Sequence, residues 1–246
     1  MTIDLPVIWF AIIVFATLMY IVMDGFDLGV GILFPFIRDK HDRDVMVNSV
    51  APVWDGNETW LVLGGAGLFG AFPLAYAVIT DALLGATWLI MKSEDPLHSR
   101  MCALSRPLLI VLLLVMGGVS VWTPLTHDDI AERWFTLPNL YYFLPVPVLV
   151  LAFSIWLWRS VKKPESHARP FILTLGLIFL GFSGLGISIW PNIIPPDISL
   201  YAAAAPPQSQ SFMLVGALII IPIILAYTFW SYYVFRGKVR HGEGYH

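Results

Sequence analysis

The sequence predicts an all-α fold, a polytopic transmembrane helix bundle, on three observations. Of 246 residues, 58% are hydrophobic and only 13% are charged, against about 25% in an average soluble domain. The mean hydropathy is +0.76, so much of the apolar mass must face something other than water. Ten Trp, 16 Phe and 9 Tyr supply the aromatic side chains that interfacial belts use. Other classes fall away on the same arithmetic. Fourteen Lys+Arg against 17 Asp+Glu leave a net charge of −3, with no basic field to draw in nucleic acid. One cysteine, Cys102, excludes a disulfide scaffold, a CxxC redox site and a Cys-ligated cluster. The first ten residues do not read as a cleavable signal, because the first basic residue is Arg38. Neither end carries a lipidation motif.

A helix needs about 20 apolar residues to cross the hydrocarbon core. Candidate spans are Val7 to Leu33, Leu104 to Trp122, Leu137 to Trp158, Phe171 to Trp190 and Phe212 to Phe235. Basic residues set their orientation. Arg38, Lys40 and Arg43 follow the first span. Lys92, Arg100 and Arg106 precede the second, Arg159, Lys162, Lys163 and Arg169 link the third to the fourth, and Arg236, Lys238 and Arg240 follow the last. Opposite them stand the bare N-terminus, a stretch from Thr123 to Thr136 with only Arg133, and Pro191 to Ser211 with no basic residue. The alternation is unbroken. It places the basic loops and the C-terminus in the cytoplasm and the N-terminus outside.

Arg43 and Lys92 then share a side, so an even number of spans separates them across only 48 residues. Two compressed helices fit, Val50 to Gly65 and Leu68 to Met91, hinged at Gly64-Gly65. With them the chain has about seven spans. The hairpin leaves Asp55, Glu58 and Asp81 at membrane depth.

Ionisable residues at that depth are expensive, and each is a functional candidate. In the first span, Asp24 and Asp27 stand at i and i+3, on one helical face. Asp55 and Glu58, within the run from Trp54 to Trp60, repeat the spacing. Two such faces meeting would line up acids and amides in a manner suited to a proton relay. Structural capping near the helix ends is the plainer alternative, since Asp24 and Asp27 come 17 to 20 residues into their span. The six histidines, His41, His98, His127, His167, His241 and His246, all fall in predicted loops or tails. None is placed for axial haem ligation within a span, and no His/Cys cluster has metal spacing. Lone helix methionines such as Met19, Met23, Met116 and Met213 read as packing. No P-loop, GxGxxG or GxSxG motif occurs, and Gly64 to Gly67 reads as a helix-packing run. Pro145, Pro147, Gly181 to Gly186 and Pro222 predict kinked, closely packed later helices. The run from Phe229 to Tyr233 reads as an interfacial anchor, and Pro195-Pro196 with Pro206-Pro207 as an extended outer loop.

Several of these segments carry a family resemblance. Asp24-Gly25-Phe26-Asp27-Leu28-Gly29-Val30-Gly31 and Asn48 to Leu61, which contains Trp54-Asp55-Gly56-Asn57, are similar to subunit II of cytochrome bd-type ubiquinol oxidases. Ala71 to Tyr76, Leu84 to Lys92, Trp190 to Pro196 and Tyr232 to Lys238 extend the match over nearly the whole chain, with wording that leans to the cyanide-insensitive branch. The resemblance implies a complex in the bacterial inner membrane that oxidises quinol and reduces dioxygen to water. It implies that subunit I carries two haems b, one haem d and the quinol-oxidising loop, and that subunit II is a related, haem-free partner beside it. Small single-span accessory subunits occur in the family. A structural quinone occurs in part of it, with no motif here that carries it over. The second aspartate of the first motif and the Trp-Asp of the second lie on a proposed cytoplasmic proton route. Here these are Asp27, Trp54 and Asp55. Asp24 joins them from the same motif, and Glu58 is added as the next polar position on the same face.

One departure matters. In the family, the motif at Ala71 to Tyr76 and the one at Leu84 to Lys92 are separated by several helices. Here Tyr76 and Leu84 stand eight positions apart. The chain reads as a single membrane domain shortened internally near Thr80 and Asp81, with N-terminal helices over 1–80 carrying the acidic motifs and C-terminal helices over 81–246. The leading expectation is a non-catalytic oxidase subunit that stabilises the haem subunit and helps deliver protons. A proton-coupled transporter using the same acids is the alternative, although no second half mirrors them. An assembly or anchoring protein with no relay is the third. Trp54 is expected to be a large buried anchor.

Overall fold

A computed structural model describes residues 4–60, 74–162, 167–194 and 198–239. Proline and capping acids set most element boundaries. Helix α1 (Leu5–Leu33) starts where the Asp4 carboxylate accepts the Val7 N–H at 3.3 Å, and it ends in a 3₁₀ turn containing Pro35. Helix α2 (Lys40–Val50) is capped by Asp39, which accepts the Asp42 N–H at 3.0 Å. Residues 54–60 form the described part of α3. Helix α4 covers Leu74–Lys92, α5 Leu97–Thr126, α6 Asp128–Phe135, α7 Asn139–Phe143 and α8 Pro145–Ser160. Helix α9 (Arg169–Ile189) has Pro170 in its first turn, and α10 (Pro207–Val234) starts with Pro207, both favourable N-terminal positions. Strands β1 (Asn192–Ile194) and β2 (Ile198–Ser199) pair antiparallel between α9 and α10.

Five helices among the described residues are long and apolar enough to cross a membrane: Leu5–Phe36, Leu97–Thr126, Asn139–Ser160, Arg169–Ile189 and Pro207–Val234. They coincide with the five spans expected from hydropathy. Some begin earlier than the apolar run does, because hydropathy marks the lipid-embedded stretch and not the helix end. Thus α5 starts at Leu97, with Leu97 and Met101 each 1% exposed in the core. The 19 residues of α4 extend about 28 Å at 1.5 Å per residue, close to the thickness of the hydrocarbon core. The Gly64-Gly65 hinge and the Gly64 to Gly67 run lie outside the described residues, as do Pro195-Pro196, His241 and His246.

Helix α4 is the centre of the bundle. Leu83, Leu84, Ala86, Leu89 and Ile90 are essentially inaccessible, and the helix packs against α1, α5 and α9. A helix apolar all round belongs in that position. Thr80 and Asp81 lie inside it, so the chain runs through the expected junction as one continuous helix. By contrast, α10 buries only Gln210 and Thr228.

The ends of the bundle sort by charge. At one end Arg100 bridges to Asp42 at 2.6 Å, the His98 and His167 rings meet at 5.5 Å, and the Val239 N–H donates to the Lys92 carbonyl at 2.8 Å. At the other end Tyr201 donates to Asp4 and Trp9 to the Gln210 carbonyl, each at 3.0 Å. Phe10 packs on Trp190, and Arg133 donates to the carbonyls of Ser188 and Trp190. Loops that share a basic composition thus also share an end of the molecule. Two histidines differ from expectation: His41 and His98 sit in the first turns of α2 and α5, not in loops.

Candidate functional site

The α1–α4 crossing is built on glycine. A Cβ on Gly29 would fall 1.8 Å from the Asp81 carbonyl oxygen, and one on Gly85 would fall 2.4 Å from the Gly29 carbonyl carbon. Gly25 stands one turn before Gly29, and its Cβ would meet the Asp81 carboxylate at 3.0 Å. Gly29 and Gly85 let the two backbones touch, as small residues do between membrane helices, and Gly25 leaves room for the side chains of Asp81 and Leu84. The Asp81 carboxylate thus lies against Gly25, the residue that follows Asp24. Below the crossing, Phe26 stacks on Trp88 with centroids 4.1 Å apart, and Phe171 and Tyr232 pack edge-on against both rings.

A second set of polar contacts hangs from Asp27. The Asn57 side-chain amide donates to Asp27 Oδ2 at 2.7 Å, and Tyr232 donates its hydroxyl to Asn57 Oδ1 at 2.9 Å. Asn57 is 1% exposed. Its amide is thereby fixed in orientation, with the NH₂ toward the carboxylate. Asp27 Oδ1 is buried and has no hydrogen-bond partner among the described residues. The opposing residue on α3 is therefore an amide and not an acid.

That contact corrects part of the sequence reading. Val53 just before α3, and Asn57 and Trp60 on it, face inward, whereas Trp54, Asp55, Glu58 and Thr59 are exposed. At 100° per residue, the i, i+4, i+7 stripe that carries Asn57 turns Asp55 and Glu58 to the outer side. Trp54, expected as a buried anchor, is 47% exposed; the buried indoles belong to Trp60 and Trp88. Asp24 and Asp27 remain within the bundle, Asp24 one residue before the Gly25–Asp81 contact and Asp27 toward α3 and α10. Sequence reasoning leaves Tyr232 in an interfacial anchor. Its neighbours Phe229, Trp230 and Tyr233 are exposed as expected, but Tyr232 shares the inward stripe of Thr228 four residues earlier. That i, i+4 pair of hydroxyl groups is the available signal. Lys92 likewise reads as a loop cation in the sequence. It is 6% exposed and donates its ammonium to the carbonyls of Phe235 and Gly237, fastening the chain after α10 to the end of α4.

Among the described residues no three His, Cys, Asp or Glu side chains converge as a metal site.

The profile of the family described as cytochrome bd terminal oxidase subunit II matches residues 5–84 and 78–235. The chain belongs to that family. The two matched stretches meet over 78–84, within α4. Among curated relatives, cytochrome bd-I ubiquinol oxidase subunit 2 of Escherichia coli K12 is 40% identical over 87 residues, 35% of this chain and 23% of that protein. A probable cytochrome oxidase subunit 2 of Haemophilus influenzae is 43% identical over 87 residues, covering the same shares. Over these alignments the chain spans under a quarter of the length of the relatives. Cytochrome bd ubiquinol oxidase subunit 2 of Bacillus subtilis is 21% identical over 335 aligned positions, taking in 96% of this chain and 97% of that protein.

Proposed function

We propose that the chain serves as subunit II of a cytochrome bd-type quinol:oxygen oxidoreductase in a bacterial inner membrane, packed beside a haem-bearing subunit I. In this reading haems b and d and the quinol-oxidising site belong to the partner, where the haems supply the electron transfer that reduces dioxygen. The present chain binds neither haem nor metal by itself and contributes a proton route from the cytoplasmic side. Positive loops face the cytoplasm, so the end carrying Lys92, Arg100 and the C-terminus is the cytoplasmic one and the N-terminus is outside. On that orientation the chain crosses the membrane about seven times. The internal shortening is supported by the 335 aligned positions that the Bacillus subtilis protein needs to match these 246 residues.

The observation that carries the proton route is the Asp27 carboxylate, with Oδ2 held by Asn57 at 2.7 Å and Oδ1 buried without a partner among the described residues. Asn57, positioned by Tyr232, leaves Oδ1 as the atom that takes up and passes a proton. Asp24, which precedes the Gly25 that Asp81 packs against, offers the next carboxylate deeper in the bundle. Asp55, Glu58 and Trp54 line the exposed side of α3, where they can meet the partner subunit or bring protons to Asp27. Replacing Asp27 by Asn keeps the shape and removes the exchangeable proton. Turnover of the purified complex should fall at least about tenfold, within the range of a positioned acid–base group. Haem content, read from the reduced-minus-oxidised spectrum, should stay unchanged. Full turnover in Asp27→Asn removes the relay.

A further inference from the structure

Away from the acidic network, a cleft of about 230 Å³ opens at the basic end between the start of α5 and the end of α8. Its walls are formed by His98, Ser99, Cys102, Arg106, Val161 and Lys162. His98 is 6% exposed and donates Nδ1–H to the Ile90 carbonyl at 3.0 Å, which fixes the ring. Its other nitrogen, Nε2, is buried with no hydrogen-bond partner among the described residues, and the same holds for Nε of Arg106. The Arg106 guanidinium lies 5.8 Å from the centroid of the Trp158 ring, which orients it without neutralising it. Lys162 is exposed at the rim. Asp95, just before α5, is engaged by both the hydroxyl and the N–H of Ser99. Arg100 is taken by Asp42. The α8 carbonyls of Leu157 and Arg159 are capped by the N–H groups of Val161 and Lys162, which weakens the negative helix end facing the cleft.

The cleft continues into an apolar track. Ala103, Pro107, Ile110 and Leu114 recur at i, i+4, i+7 and i+11 and are all exposed, Ile110 by 47% and Leu114 by 70%. The track leads from the cationic cleft toward the middle of α5. A soluble anion has no use for it, whereas an acyl chain does. Basic pockets between helices at the cytoplasmic boundary are suited to lipid phosphates.

We infer that this cleft binds an anionic phospholipid, its phosphate held by Arg106 and Lys162 beside the fixed His98 ring, and one acyl chain lying along the Ala103–Leu114 stripe of α5.

Cys102 is the chain's one cysteine and lines the cleft, so it reports occupancy directly. The full chain is reconstituted in phosphatidylcholine vesicles, with or without phosphatidylglycerol, and alkylated with uncharged iodoacetamide. The Cys102 peptide is followed by mass spectrometry. Phosphatidylglycerol should slow alkylation about tenfold, the scale expected when two basic groups hold one headgroup. The double substitution Arg106→Gln with Lys162→Gln should abolish the protection, and Arg106→Lys should retain most of it. Lys162 is exposed, so Lys162→Gln alone tests the site in a chain whose core is untouched, and should lose at least about threefold of the protection. Equal rates with and without phosphatidylglycerol, or protection that persists in the double variant, overturn the inference. Inorganic phosphate in phosphatidylcholine vesicles protecting as well as the lipid would assign the cleft to a soluble anion and overturn the lipid assignment.

Discussion

The contact between α1 and α4 and the surface of α10 are both apolar helix, yet they are built on opposite rules. At the crossing, Gly29 and Gly85 bring backbones to van der Waals contact, and α4 is buried from Ala82 to Ile90. On α10, Phe212, Val215, Leu218, Ile223 and Phe229 are all more than 60% exposed, and Gly216 has open space where a Cβ would go. Lipid is as apolar as leucine, so exposure of α10 carries no hydrophobic penalty in the bilayer, and association between helices must come from close packing and polar contacts. The crossing has both. Buried carboxylates are tolerated where backbone approach and amide partners hold them, and the outer helices have no such means.

The strongest way to break this contrast is to give both regions the same side chain. Gly85→Leu forces backbone apart at the crossing, because even a Cβ there meets Gly29 and Val30 backbone within 2.4 to 2.5 Å. The cost should exceed the roughly 1–3 kcal/mol of ordinary overpacking, and the protein should be lost from the monodisperse peak in size-exclusion chromatography. Gly216→Leu should elute as the parent does. An intact Gly85→Leu protein would mean that the crossing is not what organises the bundle.

A smaller effect separates the two kinds of tryptophan. Trp88→Ala removes an indole that is 2% exposed and stacked on Phe26, and should cost about 3–5 kcal/mol, as buried aromatic truncations do. Thermal melting in detergent should fall by many degrees. Trp54→Ala, on the exposed side of α3, should leave the melting temperature within a degree or two of the parent, since surface substitutions stay within about 0.5 kcal/mol. A large loss from Trp54→Ala measured in the isolated chain would show that α3 packs more tightly than its exposure indicates.

Tyr232→Phe is the finest probe. It deletes one hydroxyl and keeps the ring against Phe26 and Trp88. Asn57 then loses its donor from α10 while keeping the bond to Asp27, so stability should drop by only about 0.5–1.5 kcal/mol. Turnover of the complex should fall less than in Asp27→Asn. Equal losses in the two variants would make the hydroxyl itself part of the route and not a support for Asn57.

Much of the fold is legible in the sequence. The five long spans coincide with runs of apolar residues, and prolines 35, 96, 170 and 207 stand at or near helix ends where the backbone geometry requires them. That Asp24 and Asp27 are candidates follows from their cost in a span. The identity of their partners does not. Asn57 is in view inside the Trp54 to Trp60 run, yet the periodicity that draws attention to Asp55 and Glu58 carries no phase for the helix. Asp81 reads as an awkward acid at a junction, and Tyr232 as one aromatic among four.

The division has a physical cause. Transfer from water to lipid is close to a sum over neighbouring residues, so composition along the chain by itself determined the spans, the fold class and the separation of basic from neutral loops. A hydrogen bond or a backbone contact depends on the rotation of two helices that meet from distant parts of the sequence. Only the tertiary structure decided that Gly29 lies on Gly85, that Asn57 and not Asp55 meets Asp27, and that Tyr232 closes the chain of contacts 175 residues away from Asn57.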